Sequence, residues 1–176
     1  ETRLYLYNGA LVEEYAAVGI RVALHPQIDL ATEPRWARQL QTFGEDADLS
    51  GELGAAYIRG LQGESFGPGS VSAMTKHFPG GGPQKDGEDP HFPYGAEQVY
   101  PGGAFDYHLK PFLRAFEAGT RQIMPYYGKP MGTAYEEVGF GLNKGVSAGL
   151  LRERFGFEGI VCTDWGLITD QSLLGT

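Results

Sequence analysis

Apolar residues follow two different spacings along this chain. In four segments they recur three and four positions apart, which places them on one face of an α-helix. These segments are residues 8–19, 49–61, 109–119 and 146–156. We expect Asn8 to cap the first helix and Gly19 to end it, because these residue types are favoured at those positions. Pro111 fits the third helix only if it lies in the first turn.

Between the helical segments lie short, nearly continuous apolar runs, which are typical of strands buried on both faces. The runs are residues 71–78, 122–127 and 160–165, together with residues 20–30, which His25-Pro26 breaks into a strand and its exit. Four helix–strand alternations predict an α/β fold with a parallel sheet. The pattern alone leaves both a doubly wound sheet and a (β/α)8 barrel open. A full barrel usually needs about 250 residues, more than the 176 present.

The segment from Pro79 to Gly103 interrupts this alternation. It consists of 25 residues rich in glycine, proline and polar side chains, whereas a typical loop between strand and helix has about 2–6 residues. Loops of this length in a compact domain are usually functional or disordered. The aromatic residues Phe92, Tyr94 and Tyr100 favour an ordered loop.

Composition and charge narrow the classes of function. The 14 basic and 22 acidic residues give a net charge of −8 without a basic stripe, so we expect no nucleic-acid partner. No apolar stretch approaches the roughly 20 residues of a membrane helix, so we expect no membrane partner. Cys162 is the only cysteine, which excludes an intrachain disulfide. The sequence does not distinguish a cytoplasmic from an exported protein.

Motifs for metals and nucleotides are missing from the sequence. No His-Glu-x-x-His spacing and no P-loop ending occur, so we expect no metal or other cofactor. His25 and His108 are expected at the surface or at helix caps.

Polar side chains follow the predicted strands where each strand ends. Lys76 and His77 close the second run, Tyr127 the third and Asp164 the fourth. Because the carboxyl ends of parallel strands meet on one face, we expect these groups to converge. Charged donors beside aromatic rings are typical of a pocket for a hydroxyl-rich ligand such as a sugar. The alternative for Asp164 alone is a helix N-cap, a position that favours aspartate.

Four segments occur in the order and at the spacing found in glycoside hydrolase family 3, and they most resemble its β-glucosidase branch. They are residues 33–46 (EPRWARQLQTFGED), 76–80 (KHFPG), 124–127 (MPYY) and 161–166 (VCTDWG). The resemblance extends from about Gly9 to Gly166. It implies that residues 1–176 form a single, incomplete catalytic domain. That domain would be a partial (β/α)8 TIM-type barrel with about four helix–strand units, which other segments of the same enzyme would complete.

The resemblance also implies a retaining β-glycosidase reaction, in which Asp164 is the nucleophile and a carbohydrate or glycoside is the substrate. The residues that match substrate-binding positions of the family are Arg38, Lys76, His77, Met124, Tyr127 and Trp165. Ala37 stands where the family often has glycine, which is a small departure. Neighbours on a regular strand point to opposite faces. Lys76 and His77 can therefore reach one sugar only if the strand end is irregular, with a bulge or an unusual peptide.

The resemblance does not assign the general acid/base to a single residue of this chain. In many family members it is a glutamate from a following domain, which has no counterpart here. The β-N-acetylglucosaminidase branch instead uses an Asp-x-His pair on the loop after Lys-His-Phe-Pro-Gly. Asp89 and His91 lie on that loop about two residues later than expected, so His91 oriented by Asp89 is one candidate and Glu88 is another. The alternative from another functional class is a sugar-binding or scaffold fragment without turnover.

Overall fold

A four-stranded parallel sheet with helices beside it organises the computed structural model, which describes residues 1–168. The helices are α1 (Thr2–Ala17), α2 (Ala47–Gln62), α3 (Phe105–Glu117) and a π-helix (Gly145–Arg154). The strands are β1 (Val22–Ala23), β2 (Ser72–Phe78), β3 (Glu97–Gln98), β4 (Gln122–Pro125), β5 (Lys129–Pro130) and β6 (Ile160–Val161). The last eight residues of the predicted domain 1–176 lie outside the described residues.

Strands β1, β2, β4 and β6 lie side by side in that order, and every pair is parallel. Thr75 is opposite Ile123, and Ile123 is in turn opposite Val161. The spatial order therefore follows the chain order, as in a (β/α)8 barrel, whereas a doubly wound sheet reverses it. Within residues 1–168 this sheet supplies half of the eight strands of a barrel, so the predicted partial barrel is confirmed. β3 and β5 form a separate two-stranded sheet.

The hydrophobic core lies between this sheet and α2, α3 and the π-helix. Ile58 of α2, Phe112 of α3 and Leu151 of the π-helix are fully buried. Phe78 at the end of β2 meets Phe112 edge-to-face, with ring centroids 5.3 Å apart, which is a favourable geometry for aromatic pairs. The apolar stripes of α3 and the π-helix are thus mostly buried in the core, whereas Leu49 at the start of the α2 stripe is 53% exposed.

Helix α1 begins earlier than the sequence pattern predicts. It starts at Thr2, so Asn8 lies inside the helix, is buried, and donates its side-chain amide to the carbonyl of Leu4 at 2.8 Å. The prediction that Asn8 caps the helix was wrong, because side-chain bonding back to a carbonyl four residues earlier replaces the capping contact. The predicted end is confirmed, since the helix stops at Ala17 and Gly19 has a φ of +83°.

Helix α3 differs from its prediction at two positions. Pro111 is the seventh residue of the helix rather than part of the first turn. The prediction that Pro111 lies in the first turn was wrong. The free energy gained by burying Leu109 and Phe112 outweighs the loss of the helical hydrogen bond that Pro111 cannot donate. His108 is 4% exposed and packs edge-on against Tyr100 at 5.6 Å between ring centroids. It is the fourth residue of α3, so the expectation of a surface or helix-cap position was also wrong.

The first predicted strand is much shorter than the apolar run at residues 20–30. Only Val22–Ala23 pairs regularly, and Gln27 forms an isolated bridge with Lys76. Pro26 lies between them and has no N–H to donate to a neighbouring strand, which explains the interruption. His25 is half-buried between two tyrosine rings rather than at the surface.

The C-terminal elements also depart from regular geometry. The fourth predicted helix is present, but it is a π-helix, and the N–H of Phe155 donates to the carbonyl of Leu150 five residues earlier. The predicted strand at residues 160–165 is reduced to Ile160–Val161. Asp164 therefore lies beyond the strand, in the segment that leads away from the sheet.

The long segment between Pro79 and Gly103 is ordered, as its aromatic content favoured. The buried amide of Gln84 donates to the carbonyl of Gly95 at 2.7 Å and accepts from Gln98 at 2.8 Å. Pairing of β3 with β5 fixes the far side of the loop. In the part of the chain that the structure describes, no helix is long and apolar enough to cross a membrane.

Candidate active site

The carboxyl end of β2 is irregular at the two residues that matter most. The pairing with β4 shifts register between Lys76 and Phe78, and the peptide bond between Lys76 and His77 is cis. Both Lys76 and His77 line the same cavity. The expectation of an irregular strand end, made because two neighbours have to reach one ligand, is therefore confirmed.

That cavity has a volume of about 300 Å³ and opens where the ends of β1, β2, β4 and β6 meet. Its lining residues are Leu24, Arg38, Gln41, Lys76, His77, His91, Met124, Asp164 and Trp165. Seven of these nine were singled out as site residues from the sequence. Tyr127 lies beside them and donates its hydroxyl to the carbonyl of Trp165 at 2.7 Å. The convergence predicted from the strand ends is thus present.

Asp164 is 6% exposed and is held by its immediate neighbour. One carboxylate oxygen accepts the N–H of Trp165 at 2.8 Å, and the other lies 3.9 Å from Nε2 of His77. A helix N-cap would accept an N–H from two or three residues further on, so the contact does not match the capping alternative.

The two cations of the cavity do not touch the carboxylate directly. Within residues 1–168, no ion pair of 4.0 Å or less joins Asp164 to Arg38 or to Lys76. Burial and the nearby Arg38 lower the pKa of Lys76, while the charges of Asp164 and Asp29 act in the opposite direction. The cations and the carboxylate therefore face the same space with room for a ligand between them.

Arg38 is fixed by His77 and by two glutamines that the sequence did not single out. It donates to the side-chain carbonyls of Gln27 at 2.9 Å and Gln41 at 3.0 Å, and its Nη1 lies 3.3 Å from Nε2 of His77. These contacts pre-orient the guanidinium, which lowers the entropic cost of binding a ligand. Gln27 could have been noticed as a polar residue inside an apolar run.

Asp29 is a second residue whose role sequence reasoning missed. It is fully buried and receives hydrogen bonds from the N–H of Gly81 at 2.6 Å and from the N–H of His77 at 2.9 Å. Burial alone would raise the pKa of Asp29, but the nearby His77 and these hydrogen bonds outweigh it and hold that pKa below its usual range. The sequence feature that could have pointed to Asp29 is a carboxylate at the end of an apolar run.

The Asp89–His91 pair lies at the rim of the cavity. Nδ1 of His91 contacts a carboxylate oxygen of Asp89 at 2.5 Å, and the His91 ring packs on Tyr127 with centroids 4.8 Å apart. Burial tends to raise the pKa of Asp89, but hydrogen bonds from His91 lower it overall. Glu88, the other candidate acid, is exposed and does not line the cavity.

The remaining two predicted residues have contrasting environments. Met124 is 3% exposed and belongs to the floor of the cavity, whereas Trp165 is 77% exposed at its rim. An apolar floor beneath an open aromatic ring suits a sugar, whose C–H face stacks on such rings.

A larger cavity of about 690 Å³ lies between α1 and the segment after α2. It shares no lining residue with the Asp164 cavity, and its walls are mainly glycine, serine and apolar side chains. Chemistry is better assigned to the smaller cavity because charged groups converge there. Within residues 1–168, no group of three or more histidine, cysteine or acidic side chains is arranged to hold a metal ion.

Comparison with known proteins agrees with this geometry. The family described as "Glycosyl hydrolase family 3 N terminal domain" matches residues 5–175. A protein of Aspergillus flavus named "Probable beta-glucosidase C" is 60% identical over 163 residues, which is 93% of this chain and 26% of that protein. The chain thus spans about a quarter of the length of the curated relatives it matches.

Solved structures give the same fold. A β-glucosidase from Listeria innocua in complex with glucose has a TM-score of 0.83 and 25% identity, covering 98% of this chain and 23% of that chain. A β-N-acetylglucosaminidase of the same family from Paenibacillus has a TM-score of 0.80 and 29% identity, covering 92% and 30%. Fold similarity alone therefore does not separate the two branches.

Proposed function

The chain belongs to glycoside hydrolase family 3, and from that premise we propose that it forms the nucleophile-bearing part of a retaining β-glucosidase. The observation that carries the proposal is the cavity in which the buried carboxylate of Asp164 faces Arg38, Lys76 and His77. The relative that is 60% identical is named a β-glucosidase, which favours terminal β-linked glucosides as substrates.

In the proposed reaction, a carboxylate oxygen of Asp164 attacks the anomeric carbon as the bond to the leaving oxygen breaks. The leaving oxygen takes a proton from a general acid, and a glycosyl ester of Asp164 remains. Water then attacks the same carbon, gives its proton to the former acid and releases the carboxylate. Arg38 and Lys76 donate to sugar hydroxyls, and Trp165 stacks on the ring face.

We further propose that other segments of the enzyme complete the barrel. β1 and β6 each pair with one neighbour and form the two edges of the described sheet. Apolar side chains are exposed at both edges, including Leu24 at 42% and Ile160 at 60%. Unpaired sheet edges of this kind favour pairing with further strands. The completing segments would also supply the acid/base that glucosidases of this family take from a following domain.

A second candidate function rests on one specific contact. Asp89 holds Nδ1 of His91, and the His91 ring lines the cavity. Such a pair could protonate a leaving group in the manner of the β-N-acetylglucosaminidase branch. The two candidates differ in substrate, so hydrolysis of an aryl glucoside against an aryl N-acetylglucosaminide separates them.

The test of the nucleophile is covalent labelling of the intact protein with an activated 2-fluoro-glucoside. Its good leaving group needs little protonation, so trapping depends on the nucleophile more than on the acid. We expect mass spectrometry to find one fluoroglucosyl group on the peptide that contains Asp164. Asp164→Asn should abolish the label, whereas Asp106→Asn, at a side chain that is 81% exposed, should retain it. Intact protein that gains no sugar mass would support the sugar-binding fragment instead.

A further inference from the structure

Asp29 is a fully buried carboxylate that the proposed reaction does not use. Within residues 1–168, the hydrogen bonds of its side chain all go to the irregular segment that begins at the end of β2. One oxygen accepts the N–H groups of His77 and Gly81 at 2.9 and 2.6 Å, and the other lies 2.8 Å from Nδ1 of His77. A buried charge with three partners is well compensated. Its position is therefore tied to that of the His77 ring.

The partner of the other ring nitrogen decides which nitrogen carries the proton. Nε2 of His77 lies 3.3 Å from Nη1 of Arg38. A guanidinium can only donate hydrogen bonds, so Nε2 has to accept and cannot carry a hydrogen. The ring proton then resides on Nδ1 and is donated to Asp29. Burial lowers the pKa of His77, and the charges of Arg38 and Lys76 act in the same direction. Together they outweigh the charge and hydrogen bond of Asp29, which act to raise that pKa, so the neutral ring is favoured.

We propose that Asp29 is a positioning residue that fixes His77 in the Nδ1-protonated tautomer and turns the lone pair of Nε2 toward the guanidinium of Arg38, beside Asp164. This inference rests on the proposed function for its catalytic meaning. Nε2 lies 3.9 Å from a carboxylate oxygen of Asp164. The one acceptor of the His77 ring then holds the guanidinium of Arg38 at the cavity wall, where Arg38 and Lys76 donate to sugar hydroxyls. Asp29 acts on the reaction only through His77.

The first test needs no substitution of Asp29 and no activity. Long-range proton–nitrogen NMR correlations of the intact protein, labelled with ¹⁵N-histidine, report which ring nitrogen is protonated. We expect His77 to show a protonated Nδ1 and a bare Nε2, with the signal assigned by its loss in His77→Gln. A protonated Nε2, alone or together with Nδ1, would overturn the proposal.

The second test uses Asp29→Asn, which keeps size and shape. The amide oxygen can still accept the two backbone N–H groups, but the amide nitrogen then faces Nδ1 and forces that atom to accept. The ring proton moves to Nε2, against the donors of Arg38. We expect the NMR pattern of His77 to reverse and the rate of 2-fluoro-glucoside labelling to fall by about 100-fold, as displaced catalytic groups do.

The matched control is Thr75→Val, which removes another buried polar group of β2. Thr75 shares its hydroxyl with Thr120 at 2.8 Å and does not contact His77 through that bond. Thr75→Val should lower stability without reversing the His77 pattern. If the NMR pattern of His77 is unchanged in Asp29→Asn, the inference is refuted. If Asp29→Asn does not fold, the protonation state of His77 in the wild-type spectrum tests the inference by itself. A correct tautomer in a protein that takes no label would instead refute the proposed function alone.

Discussion

Replacing Gly82 with alanine places a methyl group where the long loop crosses the chain that follows β1. A Cβ built on Gly82 would lie 1.6 Å from the carbonyl oxygen of Leu30 and 2.6 Å from its carbonyl carbon. The closest ordinary contact between carbon and oxygen is about 3.3 Å, so the separation is short by about 1.7 Å. Because both obstructing atoms belong to the main chain, no side-chain rotation can relieve the contact.

The expected cost follows from this backbone displacement. Overpacking usually costs about 1–3 kcal/mol, and a rigid main-chain obstacle places Gly82→Ala at about 3 kcal/mol. For a domain of this size that loss lowers the Tm by about 6–12 °C. The displacement also reaches the site, since Leu30 follows Asp29 and Gly82 follows the Gly81 N–H that Asp29 accepts. Labelling of Asp164 should therefore slow as well.

Urea unfolding followed by circular dichroism measures this loss as a lower midpoint at an unchanged m-value. The matched control is Gly67→Ala, because a Cβ at Gly67 meets nothing within 4 Å and its φ is ordinary. That variant should stay within about 0.5 kcal/mol of the wild type. A free energy of unfolding for Gly82→Ala equally close to the wild type would refute the argument from the close approach.

Two further predictions concern one buried and one exposed residue. Burial lowers the pKa of His108 to about 4, with the charge of Asp29 acting in the opposite direction, so the folded state needs the neutral ring. The resulting stability is present above the unfolded pKa of about 6.5 and is lost as the pH falls toward 4. The free energy of unfolding of the wild type, measured relative to that of His108→Gln, should thus fall by up to about 3 kcal/mol between pH 7 and pH 4. A difference between the two proteins that does not change with pH would contradict the assignment of this stability to His108. Trp165 is 77% exposed, so Trp165→Ala should change the free energy of unfolding by less than about 0.5 kcal/mol. Loss of the stacking ring should weaken binding of a β-glucoside about 3- to 10-fold, which calorimetry measures. Leu40→Ala, at a residue 87% exposed, is its control, and equal affinity in the two variants would argue against stacking.

Apolar spacing by itself determined the class of fold and the place of the site residues at strand ends, whereas the other site residues were identified by the resemblance to the family. The stripe on α3 and the run in β2 each have one geometry that buries them, so the parallel sheet follows from the pattern. The carboxyl ends of parallel strands must share a face, which is why Lys76, His77 and Asp164 could be brought together without coordinates.

Only the tertiary structure decided how these groups are held. The positions of Asn8 and Pro111 inside helices depend on packing against neighbouring elements, which overrides local preference. The bonds of Asp29 to His77 and of Gln27 to Arg38 join residues far apart in the chain, and neither pair has a spacing that local pattern can detect. The sequence therefore indicates which side chains stand at the ends of strands, because hydrophobic periodicity is a local property. Their protonation and orientation depend on contacts that exist only once the chain has folded.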